Sequence, residues 1–115
     1  MLHVHTLRKR GDFLRLRDAK PFHTTFGSLR GKPSSAPLPE STCRVGLTVS
    51  KYCSKKAVER NRIKRRLRAV VRELWPQHGR CDYDYVFIAK NSALDIPFDE
   101  MREQIARALI KLNGS

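Results

Sequence analysis

The sequence predicts an α+β fold, one mixed β-sheet with helices packed on it. Three observations carry that expectation. Residues 43–50, CRVGLTVS, alternate strictly: Val45, Leu47 and Val49 point one way, and Arg44, Gly46, Thr48 and Ser50 the other. Residues 83–90, YDYVFIAK, are apolar on both faces, as a central strand is. Two segments, 55–74 and 97–114, instead repeat their apolar residues with the helical period. The chain has 115 residues, 40% of them hydrophobic. That suits one domain, residues 1–115, with one modest core.

The elements follow in order. Residues 1–10 are polar, basic and extended. Asp12 is placed to N-cap a short helix carrying Phe13, Leu14 and Leu16, with Pro21 ending it. FHTTFGSLR (22–30) is strand-like, and Gly27 weakens it. GKPSSAPLPEST (31–42) has three prolines and no period, and is expected as a loop. After the 43–50 strand, Ser54 is a candidate N-cap for a helix running to about Leu74, stopped by Pro76. The closing helix has a stripe of Phe98, Met101, Ile105, Leu109 and Leu112. Pro97 suits its first turn, Asp99 and Glu100 its positive end, and Gly114 its C-terminal cap.

Charge narrows the function. The formal net charge is +13 and the pI about 10.4. Such a balance favours a polyanionic partner, nucleic acid first. No apolar run reaches the ~18 residues of a membrane span. The N-terminus shows no secretory signal, so a cytoplasmic location is expected. Cys43, Cys53 and Cys81 lack any CxxC spacing, and the four histidines pair with no cysteine as zinc ligands do. No carboxylate or histidine set is spaced for metal hydrolysis, and Asp82 and Asp84 are read as solvated turn residues.

The segment KKAVERNRIKRRLRAVVREL (55–74) concentrates the charge: nine of its twenty residues are Lys or Arg, against two Glu. On a helical wheel Ile63, Leu67, Val70, Val71 and Leu74 share one face, which must pack on the sheet. Asn61, Arg65, Arg68 and Arg72 share the opposite face. Arg62 and Arg66 lie on one shoulder and Lys64 on the other; Arg60 points toward the core side, which requires that the first turn project beyond the sheet or that its guanidinium snorkel out. A merely solvated helix face mixes signs, and this one does not. Arginine's planar fork makes bidentate bonds to phosphate, which favours phosphate contact over solubility. With no helix-turn-helix, finger or zipper pattern, structured or single-stranded RNA is a better expected partner than DNA.

RVGLTVSK, a short basic linker and KKAVERNRIKRRLR together resemble the protein subunit of bacterial ribonuclease P, with the R-N-R core at Arg60, Asn61 and Arg62. The likeness extends upstream to LRKRGDF and downstream to DYVFIAK and the closing helix, roughly residues 7–112. The resemblance implies element order αβββαβα, with a left-handed βαβ crossover through the basic helix, a ribosomal protein S5 domain 2-like fold. It implies an accessory subunit without catalytic groups of its own, and no residue of this chain is singled out as a metal ligand. The partner RNA cuts the 5′ leader from precursor tRNA with Mg2+ held mainly by that RNA. On the matching positions, Lys51, Lys56, Arg60, Asn61, Arg62, Lys64, Arg65 and Arg68 are expected to meet the ribonuclease P RNA. Phe13 is expected to line a leader cleft between the first helix and the sheet. Arg17 stands where the family often has a second aromatic residue, and Phe26 is a further candidate for the cleft. No membrane and no obligate protein partner is implied. The competing reading is a ribosomal-type or general RNA-binding chaperone, which needs no leader cleft.

Overall fold

The computed structural model describes residues 2–114. Five strands, β1 (His3–Thr6), β2 (Phe22–Thr24), β3 (Gly27–Pro33), β4 (Thr42–Thr48) and β5 (Tyr83–Ala89), form one mixed sheet in the order β1-β4-β5-β3-β2. The helices are α1 (Arg10–Leu16), α2 (Ala57–His78) and α3 (Phe98–Gly114), with a 3-10 turn at Asn91–Leu94. Parallel β4 and β5 are joined through α2, so the basic helix is the crossover.

Strand periodicity divides the sheet into two faces. Val45 pairs with Tyr85 and Leu47 with Phe87, and these point into the main core with α2 and α3. Arg44, Gly46 and Thr48 pair with Asp84, Val86 and Ile88 and point the other way. There Val86 packs with Leu7 and Leu16 beneath α1, and Phe13 packs against them. The main core has Trp75 edge-on to Tyr85, ring centroids 5.5 Å apart. α3 buries Met101, Ile105, Ala108, Leu109 and Leu112, close to the expected stripe, while Phe98 stays partly exposed.

Several boundaries differ from the sequence expectation, each for a local reason. α1 starts two residues before Asp12, whose carboxylate is engaged by Arg44 at 3.4 Å instead of capping. The strand-like 22–30 segment is a hairpin. Thr24 faces Gly27 across a two-residue turn, where a Cβ on Gly27 would lie 2.3 Å from the Ile88 carbonyl oxygen. β3 then runs on to Pro33, shortening the expected loop. Pro76 does not stop α2, which continues to His78. The helix end is held by other partners: Asn113 Nδ2 donates to the His78 carbonyl (2.6 Å), and the Gly79 amide to that of Trp75 (2.9 Å). Ser54 lies outside α2, yet its Oγ accepts from the Lys56 amide (3.3 Å) and donates to Glu59 (2.6 Å).

Asp84 is a correction. It is fully buried on β5, not solvated, and binds Arg44 through both oxygens at 2.8 Å and Arg15 at 2.9 Å.

Candidate RNA interface and leader cleft

The wheel predicted for α2 is the one observed. Ile63, Leu67, Val70 and Leu74 are buried, and Asn61, Arg62, Arg65, Arg68 and Arg72 are exposed. Arg60 is half-buried and turns its guanidinium back to the Ser54 carbonyl (2.8 Å), which anchors the first turn. Arg66 behaves differently. It reaches over the 3-10 turn and donates to the carbonyls of Ala93 (2.7 Å), Leu94 (2.8 Å) and Ile96. Burial, then the nearby Arg62 charge, push its pKa below the ordinary value. Arg66 is therefore committed to the fold.

The remaining candidates are uncommitted. Lys51, Lys56, Arg62, Lys64, Arg65 and Arg68 make no ion pair and no side-chain hydrogen bond among the described residues. The two acids on the helix cannot neutralise them: Glu59 is hydrogen-bonded by Ser54, and Glu73 is bridged by Arg102 at 3.4 Å. Lys51 and Lys56 are exposed at the approach to the helix, where its positive dipole adds to the field. The approach also holds an aromatic residue the charge pattern did not single out. Tyr52 is fully exposed on a turn pinned by the Cys53 amide to the Ser50 carbonyl (3.0 Å) and by Asn91 Nδ2 to the Cys53 carbonyl (2.9 Å). Val58, in the first turn of α2, is also exposed.

On the opposite face of the sheet, α1 leaves a cleft of about 210 Å³ lined by Phe13, Leu14, Leu16, Arg17, Arg30, Thr48, Val86 and Ile88. Phe13 is half-buried in it and Arg17 is exposed at its edge. Arg30 rises from β3 and donates to the carbonyls of Arg17 and, at 3.4 Å, Ala19, tying the end of α1 to the sheet. Phe26 is not in this cleft. It has no exposed surface and packs on Phe87, centroids 5.5 Å apart, in the core on the other side of the sheet. The turn that places it gives its carbonyl to the Lys90 amide (2.8 Å). Ile88 and Thr48 are the floor residues that the sequence reading missed; their alternation on β5 and β4, opposite Phe87 and Leu47, was the available signal.

Gly46 shapes the cleft. A Cβ there would lie 2.6 Å from the Phe13 ring, so the bare backbone lets that ring lie on the sheet. Gly46→Val is expected to destabilise the fold by about 1–3 kcal/mol through overpacking, read as a lower urea midpoint at unchanged slope. An unchanged midpoint would show that the ring is not seated on this glycine.

The thiols take no part in either surface. Cys43 is buried, and its pKa is pushed up to about 12 by burial first, then by Asp84 and Cys81. Among the described residues no three His, Cys, Asp or Glu side chains come together as a metal site, and no helix is long and apolar enough to cross a membrane.

The family model described as Ribonuclease P matches residues 1–113. The ribonuclease P protein component of Ruegeria pomeroyi is 40% identical over 112 residues, 96% of this chain and 88% of that protein. That of Microcystis aeruginosa is 32% identical over 111 residues, covering 96% and 92%. Among solved structures, a Staphylococcus aureus RNase P protein mutant superposes with TM-score 0.75 at 22% identity, covering 95% of this chain and 88% of that one. The Thermotoga maritima RNase P protein gives 0.72 at 23% identity, covering 93% and 96%. The shared fold and sequence likeness over nearly the whole length lead to one conclusion: the chain belongs to the ribonuclease P protein family, the protein components of an endoribonuclease of tRNA processing.

Proposed function

We propose that the chain docks onto the ribonuclease P RNA through the α2 ridge and its approach, Lys51, Lys56, Arg60, Asn61, Arg62, Lys64, Arg65 and Arg68, and holds the 5′ leader of precursor tRNA in the α1 cleft with Phe13 and Arg17. The observation that carries the first half is the run of cations left without internal partners on a helix whose opposite face, Ile63, Leu67, Val70 and Leu74, is buried. Such groups are free to displace condensed counterions from phosphates. The second half is supported by placement. The ridge and the cleft lie on opposite faces of the sheet, joined by the turn after Thr48, so one RNA can be gripped while another strand lies in the cleft. An aromatic ring backed by a sheet and flanked by a guanidinium suits an unstacked base next to a phosphate.

In this reading the chemistry belongs to the RNA. Magnesium is expected there, since this chain's one buried carboxylate among the described residues, Asp84, is already bound by two guanidiniums. The protein's contribution is binding and orientation, and its setting is the cytoplasm.

The cleft is tested with Phe13→Ala. Loss of one stacking partner is worth roughly 1–3 kcal/mol. Affinity of the assembled holoenzyme for precursor tRNA is expected to fall about 5- to 150-fold, while affinity for mature tRNA, which has no leader, stays within about twofold. Equal losses for both RNAs would refute the leader assignment.

A further inference from the structure

A further hollow is distinct from both the ridge and the leader cleft. It is a groove of about 530 Å³ between edge strand β1 and the flank of α2. Its size falls within the ~300–1,000 Å³ range of sites for small organic groups. Val45, Leu47, Val71 and Pro76 give it an apolar floor. Lys64, Arg68 and Arg72 stand along one wall at successive helical turns, and no acid lines it. The side chains of these three cations have no internal ion pair or hydrogen bond among the described residues. The other wall is β1, where the His3 amide donates to the Ser41 carbonyl (2.7 Å) and the Leu7 amide to that of Val45 (3.0 Å). The two-residue period of a strand turns the amides and carbonyls of Val4 and Thr6 the other way, toward the open edge.

The geometry points to a pocket for one unstacked nucleotide of the ribozyme RNA, its phosphate on Lys64, Arg68 and Arg72, its base over Val45, Leu47 and Val71. The exposed backbone groups of Val4 and Thr6 supply the hydrogen bonds that would read the base edge. This deepens the ribozyme-docking reading and rests on it. An extended peptide could pair with β1, but a wall of three free cations without an acid favours a phosphodiester, and Arg68 is shared with the ridge. The groove thus turns a charge-only contact into one that selects a splayed-out base, which folded RNA presents at loops and bulges.

The test fills the groove without removing a charge. Thr6 is exposed and lines it, so Thr6→Trp suits a strand position and occupies the base site. Binding to a bacterial ribonuclease P RNA is titrated across salt. Thr6→Trp is expected to weaken binding at least tenfold, with the slope of log affinity against log salt unchanged, because every cation is retained. A second measurement does not depend on that variant: Val4, in register with core-facing Cys43, lines the groove, and Val4→Cys carrying an azidophenacyl group is expected to cross-link to a single RNA nucleotide. Binding within twofold of wild type, or cross-links scattered over the RNA, would overturn the pocket while leaving the ridge in place. A wild-type salt slope near zero would remove the docking reading, and the pocket with it.

Discussion

Arg65→Glu combined with Arg68→Glu is expected to abolish assembly with the catalytic RNA at physiological salt and to leave the protein folded. Both side chains are exposed on α2 and make no ion pair or hydrogen bond among the described residues. A hydrogen bond to a charged group contributes about 1.5–3 kcal/mol, so removing two corresponds to about 3–6 kcal/mol, or roughly 10²–10⁴ in affinity before any new repulsion. The salt slope should fall by about 1.8, at about 0.9 for each phosphate no longer neutralised. Folding should not suffer. The new carboxylate at position 68 would stand one turn from both Lys64 and Arg72, replacing like-charge pairs that each cost a few tenths of a kcal/mol. A binding titration over 50–200 mM salt, with thermal unfolding alongside, checks both halves. Retained affinity in the folded variant would end the ridge assignment.

Some arginines of this helix were legible in the sequence and others were not. Periodicity places Ile63, Leu67, Val70 and Leu74 on the sheet, and so places Arg65 and Arg68 in solvent. It cannot separate Arg66 from Arg62 on the shared shoulder. That depends on a 3-10 turn about thirty residues further on, which leaves three carbonyls within reach of Arg66. Alternation placed Val45 and Leu47 in the core for a related reason: strand faces are decided by neighbours two residues away. Phe26 shows the limit. Strand-like composition in 22–30 gave no hint that the chain reverses at Thr25 and Phe26, and a one-residue change of register sends a side chain to the other face. Gly46 was legible as a strand glycine, but its reason, the ring of Phe13 above it, lies on a distant segment of the chain.

Asp84→Asn is expected to destabilise the protein by about 2–4 kcal/mol, toward the lower part of the range for breaking a buried ion pair because both partners keep some solvent access. The carboxylate has no exposure, whereas the Arg15 and Arg44 side chains are 29% and 21% exposed. Arg44 binds it with Nε and Nη2 at 2.8 Å, and Arg15 reaches it from α1 at 2.9 Å. An amide keeps the shape but supplies one acceptor where two guanidiniums need a shared charge, and it leaves an excess positive charge between helix and sheet. The cost of Asp84→Asn is therefore that of two stranded cations, not of one missing hydrogen bond. A control separates these. Arg15→Met, Arg44→Met and Asp84→Leu together remove the whole network, and stability should return to near the wild-type value, since apolar replacement of a buried ionic cluster is often neutral or better. Because Arg15 is the tie between α1 and β5, Asp84→Asn should also loosen the helix that carries Phe13. Discrimination between precursor and mature tRNA should then fall in protein that is still folded, while binding to the ribozyme through α2, on the opposite face, is retained. Urea unfolding measures the first effect and the two tRNA affinities the second. Loss of ribozyme binding with discrimination intact would mean that this network supports α2 and not the cleft.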